Sequence, residues 1–320
     1  MNNKIIVVLF MTLLLGACGL EKTNPLVEKV KVGVMLSENG LGDQSFSDLA
    51  FAGLTKARDE EGIVIEYLEL ADTGTYESGF EQLANSGNDL VIALGFTGQE
   101  ELEKVAQAYP QQSFVLVDAV SDIDNITSIT FKENEGSVLA GIVAATVSKT
   151  QTIGFIGGVE APVIQRFEQG FVQGAKSVNP NIVIMTEYAG DFDNDALGAE
   201  IAANMIDSQA DVLYAAAGFT GVGMLQEAEK QGVYAIGVDS DQYFYAEKAV
   251  ITSMMKNIDL ALFDIVHTYK ETGKVPTGHV ELGLAENAVG LAPFRVLDLS
   301  QSNQKKLDGY LEKAASEMNE

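Results

Sequence analysis

The sequence predicts an α/β protein built as two doubly wound lobes that face a shared cleft, and three observations predict it. The first is an internal repeat. Displaced by 121 residues against itself, the chain brings Gly33 onto Gly154, Phe46 onto Phe167, Gly53 onto Gly174, Glu66-Tyr67 onto Glu187-Tyr188 and Asp118 onto Asp239. Two residues off that register, Gly95-Phe96-Thr97-Gly98 recurs as Gly218-Phe219-Thr220-Gly221. Such a repeat is far longer than a solenoid unit, whose period reaches about 50 residues. The second observation is that short apolar runs alternate with longer amphipathic ones from Val30 onward, the pattern of parallel strands joined by helices. The third is size: 320 residues at 47% hydrophobic and 21% charged allow a full core in each of two domains.

Taken in order, the first copy reads as a strand over Val30–Leu36, a helix over Phe46–Glu61, a strand over Ile63–Leu70 and a helix over Tyr76–Ser86. A buried strand Leu90–Leu94, a helix Gln99–Tyr109 and a strand Phe114–Val117 follow, ending at Asp118. Ser121–Thr130 reads as a crossover, leading into the Ala/Gly-rich helix Glu135–Ser148. The second copy repeats the order, with strands Thr152–Gly157, Ile182–Tyr188, Val212–Ala216 and Tyr234–Val238 and helices Pro162–Ser177, Ala196–Ser208 and Gly223–Gly232. Pro162 suits a first helical turn, which needs no N–H at that position. An apolar run Val250–Met254, a helix Asp259–Thr272, a strand-like His279–Leu284 and a final helix Ser302–Met318 complete the chain. This places the first lobe at residues 30–124 and 255–277 and the second at 125–254 and 278–320.

The first residues carry a different message. Lys4 precedes an apolar run, Ile5 to Leu15, broken only by Thr12, and Leu15-Gly16-Ala17-Cys18 closes it with small residues before the only cysteine. The run is shorter than the roughly 20 residues a spanning helix needs and has the layout of an export signal. Residues 1–17 are thus expected to be a signal peptide, and residues 18–29 a lipidated Cys18 with its tether, since the ending resembles a bacterial lipobox. This implies an extracytoplasmic location at the cell membrane, held by the lipid anchor.

Composition narrows the chemistry. A net charge of −26 argues against nucleic acid, whose non-specific binding depends on Lys and Arg. With one cysteine committed to the anchor, thiolate chemistry is excluded from the mature domain. His267 and His279 stand in separate elements without partner spacing, so neither a zinc site nor a Ser-His-Asp triad is expected. No GxGxxG or GxxxxGK[ST] occurs, leaving no support for a dinucleotide or ATP site, and no cofactor or metal is implied.

In a doubly wound sheet, ligands bind beyond the carboxyl ends of the strands. Both copies put their distinctive residues there. Gly95 and the Gly218-Phe219 pair begin loops that permit close backbone approach. Phe46 and Phe167 open helices at matching positions, so two rings meeting across a cleft would make a slot for a flat ligand. Asp118 and Asp239 close strands, and each carboxylate can accept two hydrogen bonds in one plane, from a vicinal diol or a guanine edge. Lys256 ends an apolar run and can donate to hydroxyls.

The runs Gly154-Phe155-Ile156-Gly157-Gly158, Pro162-Val163-Ile164-Gln165-Arg166-Phe167-Glu168-Gln169-Gly170-Phe171, Gly237-Val238-Asp239-Ser240-Asp241-Gln242, Thr252-Ser253-Met254-Met255-Lys256 and Asp43-Gln44-Ser45-Phe46 resemble the basic-membrane-protein family. These are substrate-binding lipoproteins of bacterial ABC importers, similar to purine nucleoside receptors. The resemblance implies a type I periplasmic-binding-protein fold, two Rossmann-like lobes, with a nucleoside in the cleft and an ABC permease and ATPase as partners. It implies that Phe46 and Phe167 sandwich the base, that Asp118 accepts from base N–H groups, and that Asp239 and Lys256 hold the ribose. Asp43, in the same motif, joins the candidate site. Ser37 occupies a position where the family often has an acid, and Glu38 follows it. A carboxylate facing the base favours guanosine or inosine over adenosine, whose N1 has no proton. Two other readings stay open at this level: a sugar or sugar-derived signal as ligand, and a regulatory surface lipoprotein without a transport role.

Overall fold

The structure, a computed structural model, describes residues 29–297 and 300–318. Cys18 and the expected signal segment lie outside the described residues. The strands in chain order are β1 (Lys31–Met35), β2 (Val64–Leu68), β3 (Leu90–Leu94), β4 (Ser113–Val117), β5 (Ile126–Phe131), β6 (Thr152–Gly157), β7 (Val183–Tyr188), β8 (Val212–Ala216), β9 (Tyr234–Asp239), β10 (Val250–Lys256), β11 (Gly278–Leu282) and β12 (Val289–Leu291). The helices are α1 (Phe46–Glu61), α2 (Leu70–Thr73), α3 (Tyr76–Asn85), α4 (Gln99–Ala108), α5 (Glu133–Val147), α6 (Pro162–Val178), α7 (Asp195–Asp207), α8 (Gly218–Gln231), α9 (Ile258–Thr272) and α10 (Gln301–Met318).

They form two six-stranded sheets with the same winding, ordered β2-β1-β3-β4-β5-β11 and β7-β6-β8-β9-β10-β12. All pairs are parallel except β10 with β12. In each sheet the order reverses beside the first strand of the copy, so the carboxyl ends of β1, β3 and β4 in one lobe, and of β6, β8 and β9 in the other, mark the crevice. The central strands β3 and β8 are buried along their whole length, which is why they read as unbroken apolar runs.

Helix α1 shows how sequence gives the local structure. Ser47, Ala50, Leu54 and Ala57 recur at helical spacing and are buried, and Gly62 ends the helix in a left-handed conformation with its N–H on Arg58 O. Its repeat mate α6 starts on Pro162 and buries Val163, Ile164, Phe167, Gly170 and Phe171. The matched glycines of the repeat have a common purpose. A Cβ on Gly53 would sit 2.3 Å from the carbonyl oxygen of Asp259, and one on Gly174 would sit 2.0 Å from that of Val138. In each lobe the first helix of the copy therefore lies backbone-to-backbone on a helix that follows a crossing between lobes, α9 for the first and α5 for the second.

The chain crosses between the lobes at three points, after β5, after β10 and between β11 and β12. These lie later than the expected boundaries. The second half of Ser121–Thr130, expected to be a crossover entering the second lobe at 125, instead forms most of β5 of the first sheet, which is buried throughout. Gly278–Leu282, expected to open the tail of the second lobe, pairs with β5 as β11. Residues 255 and 256 continue β10 of the second sheet. The Thr and Ser residues in Ile-Thr-Ser-Ile-Thr-Phe hide the strand, because composition there looks polar although the sheet buries both faces. β12, three residues long, carried no sequence signal. The second Gly-Phe-Thr-Gly is also not a loop: α8 begins at Gly218, five residues ahead of the expected Gly223.

Candidate functional site

Between the lobes lies a cleft of about 750 Å³, its solvent mouth included. Its walls come from strand ends of both sheets. Ser37 and Glu38 follow β1, Gly95 follows β3, and Asp118 follows β4; Gly218 follows β8, while Asp239 and Lys256 are the last residues of β9 and β10. Phe46, Asp43 and Phe167 also line it. Of the residues singled out by sequence, Phe219 alone is not among the lining residues, because the helical start at Gly218 turns the second motif away from the loop geometry of the first.

The repeat-related aspartates share an unusual backbone. Asp118 has φ +68° and Asp239 φ +64°, left-handed values that cost a non-glycine residue strain but that aspartate tolerates better than most. Gln44, beside them in space, has φ +53°. Contacts between the lobes converge here. Ser45 Oγ donates to Asp239 Oδ2 at 2.5 Å, and Gln242 Nε2 donates to Gln44 O at 3.4 Å. Lys256 Nζ donates to both oxygens of Asp118, at 2.7 and 2.6 Å. The base N–H groups that the resemblance assigns to Asp118 are thus matched here by an ammonium.

Lys256 is 2% exposed. Its Nζ lies 5.5 Å from the centroid of Phe46, 5.6 Å from that of Phe167 and 5.0 Å from that of Phe131. Both repeat-related rings therefore flank one ammonium, in cation–π range. The same Nζ stands 3.0 Å from Glu133 Oε1, an ionic contact without hydrogen-bond alignment, while Glu133 Oε2 accepts from Arg166 Nε at 2.7 Å. Burial opposes the charge on Lys256, but Asp118, Glu133 and Asp239 around it outweigh that and raise its pKa. Burial also raises Asp118 against the pull of Lys256.

Asp43 has a local duty. Its Oδ1 accepts from the N–H groups of Ser45 and Asp48, and its Oδ2 accepts from Ser47 N, so it caps α1 and fixes the backbone that carries Ser45 and Phe46. Ser37 Oγ is 2.6 Å from Ser47 Oγ. The two histidines make contacts outside the cleft lining, His267 with Glu61 and His279 with Thr130.

Besides Phe96 of the first Gly-Phe-Thr-Gly, a further ring, Phe192, lines the cleft and was missed by sequence. Its ring occupies the space above Gly158, where a Cβ would lie 2.1 Å from it. Thr220 fixes the loop: its N–H donates to Phe192 O, its hydroxyl donates to Asp191 O, and the hydroxyl accepts from Asn194 N. The threonine of the second Gly-Phe-Thr-Gly thus holds the ring, although its phenylalanine stays out of the cleft. Phe192 has no mate in the repeat, so the repeat could not reveal it.

Burial pushes the Asp239 carboxyl up to about 6, against the attraction of Lys256 and the Ser45 hydroxyl. Stability that this group contributes in full below the ordinary carboxylate range is therefore lost as pH rises through about 6. Asp239→Asn, which keeps an acceptor for Ser45, removes that loss. Melting temperatures of the ligand-free protein should show the variant gaining on the wild type between pH 4 and 7, by a difference on the order of 3 kcal/mol. A gap that stays constant across that range would contradict the assignment.

Comparison with known proteins agrees with this architecture. Residues 29–319 match the model of the Bmp family, described as ABC transporter substrate-binding protein PnrA-like. The chain is similar to the CD4+ T-cell-stimulating antigen of Listeria monocytogenes, at 35% identity over 94% of this chain and 92% of that one. It is similar to the ABC transporter nucleoside-binding protein BmpA of Lactococcus lactis, at 36% identity over 83% of this chain and 80% of that one. Among solved structures, an ABC transporter solute-binding protein from Aeropyrum pernix superposes with a TM-score of 0.82 at 27% identity, covering 90% of this chain and 92% of that one. The lobes, the winding and the cleft are those of a type I periplasmic-binding-protein fold. The chain belongs to the Bmp family of ABC transporter substrate-binding proteins.

Proposed function

We propose that this protein is a lipid-anchored extracytoplasmic receptor that closes on a purine nucleoside, with guanosine or inosine favoured, and delivers it to an ABC permease and its ATPase. The observation that carries the reading is the pair Phe46 and Phe167, repeat-related rings from opposite lobes flanking one buried lysine at a cleft that Phe192 also lines. Rings recognise a base by its faces, and a purine covers more of them than a pyrimidine. Asp239 and Lys256 are suited to the ribose hydroxyls, as acceptor and donor. Since Asp118 is engaged by Lys256, the base edge falls to Glu38 and Asn39 at the cleft lining. A carboxylate there accepts from N1–H and the amino group of guanine. The nucleoside-binding relative from Lactococcus lactis supports the same ligand class. Closure follows because a ligand touching both lobes stabilises the closed state over the open one.

Phe46→Ala tests this directly. Loss of one stacking face should cost about 1–3 kcal/mol, which is a loss of guanosine affinity of roughly fivefold to 150-fold by calorimetry. Unchanged affinity would remove the ring from the site. For the anchor, Cys18→Ala should move the protein from the membrane to the aqueous fraction on detergent phase separation. Retention with the membrane would contradict lipidation at Cys18.

A further inference from the structure

Glu133 is a fully buried carboxylate, at 0% exposure, that the reading above does not use. It opens α5, directly after the first crossing between the lobes. Lys256 ends β10, directly before the second. Glu133 Oε2 accepts from Arg166 Nε at 2.7 Å, and Oε1 lies 3.0 Å from Lys256 Nζ. Arg166 precedes Phe167 on α6. One carboxylate therefore joins two crossings to a stacking ring and to the ammonium that meets Asp118 of the opposite lobe.

Keeping a carboxylate in such a place is costly, because its desolvation is seldom repaid in stability. An ammonium has three N–H groups. Asp118 draws Lys256 towards the first lobe, and Glu133 draws it back towards the hinge. With both acids in place, the ammonium is held at a fixed point between the rings, with a donor direction left for a ligand hydroxyl. Without Glu133, Asp118 is the one carboxylate among the described residues left in ionic contact with it. We propose that Glu133 is a positioning residue of the binding site: with Arg166 it fixes Lys256 from the hinge, so that a ligand hydroxyl is recognised only where the lobes have closed. This inference rests on the nucleoside reading for its ligand.

The test uses the chain lacking its first 18 residues, which retains every described strand and helix, and compares wild type with Glu133→Gln. Guanosine should bind the variant roughly tenfold to a hundredfold more weakly. For 2′,3′-dideoxyguanosine, which lacks the vicinal ribose diol offered to Lys256 and keeps only the 5′-hydroxyl, the two proteins should agree within about twofold. A second readout needs no ligand. Nitrogen-15 lysine spectra of the wild type should show a protected ammonium resonance, assigned to Lys256 by its loss in Lys256→Arg, and its exchange with water should quicken in Glu133→Gln. Equal losses for both nucleosides, or an ammonium signal unchanged by the substitution, overturn the proposal. If the wild type binds neither nucleoside, the nucleoside reading fails while the ammonium signal still decides the role of Glu133. Should Glu133→Gln not fold, Arg166→Gln, at a part-exposed side chain, takes its place with the same split expected.

Discussion

Lys256→Met is expected to abolish measurable nucleoside binding and to destabilise the ligand-free protein by about 3–5 kcal/mol. The methylene stem is replaced well enough, so lost packing is a minor part. What disappears is the positive charge in contact with Asp118 and Glu133 and attracting Asp239. Removing one partner from a buried ionic cluster leaves the others desolvated and uncompensated, which costs far more than the intact cluster contributes. The loss has a pH signature. Lys256 has a raised folded-state pKa, so its stabilisation is complete at neutral pH and fades only in strongly basic solution. In the variant, Asp118 and Asp239 must instead ionise without it, so stability should fall as pH rises from 5 to 8. Denaturant unfolding at those two values checks this, and equal stability of variant and wild type at both would refute the buried-cluster account.

The second large effect concerns no ligand at all. Gly174→Ala should destabilise the protein by about 2 kcal/mol or more, at the upper part of the overpacking range. The added Cβ meets Val138 O at 2.0 Å, and this is backbone that cannot rotate aside. The neighbouring crossings are as tight, with Gly141 facing Phe171 O at 2.1 Å and Gly170 facing Asn134 O at 2.4 Å. Helices α5 and α6 must therefore separate, and they carry Glu133 on one side and Arg166 and Phe167 on the other. Guanosine affinity should fall together with melting temperature. Gly309→Ala is the control: it lies in α10 with open space at its Cβ, and a helical alanine there should be neutral or stabilising. Similar melting temperatures for the two variants would show that the interlock does not limit stability.

Much of this was legible in the sequence because the protein writes its scaffold twice. Leu90–Leu94 and Val212–Ala216 announce themselves as central strands by continuous apolar runs, Thr152–Gly157 follows from the order of the repeat, and the structure keeps the limits of all three. Phe46, Phe167, Asp118 and Asp239 stood out because each has a mate in the repeat, although Phe167, expected to open its helix as Phe46 does, lies about one and a half turns inside α6, which starts earlier at Pro162. Where the copies diverge, the sequence was silent. β5 is disguised by threonines whose hydroxyls are satisfied by distant partners, such as Thr127 on Pro276 O. Phe192 is held by glycines and a threonine from other segments, and Glu133 gains meaning only when the crossings bring Arg166 and Lys256 to it. Such long-range convergence leaves no local spacing to read. Phe219 shows the converse: a repeated motif in sequence whose second copy is wound into a helix.

The central claim, that the cleft is a nucleoside site, is tested most directly by calorimetric titration of the mature domain. The protein should be unfolded and refolded beforehand, so that carried-over ligand does not mask binding, then titrated with guanosine, adenosine, cytidine and ribose. The account predicts nanomolar to micromolar binding of guanosine, weaker binding of adenosine and cytidine, and none of ribose alone, since the rings supply much of the affinity. Protein shown to be folded that gives no heat with any nucleoside would contradict it.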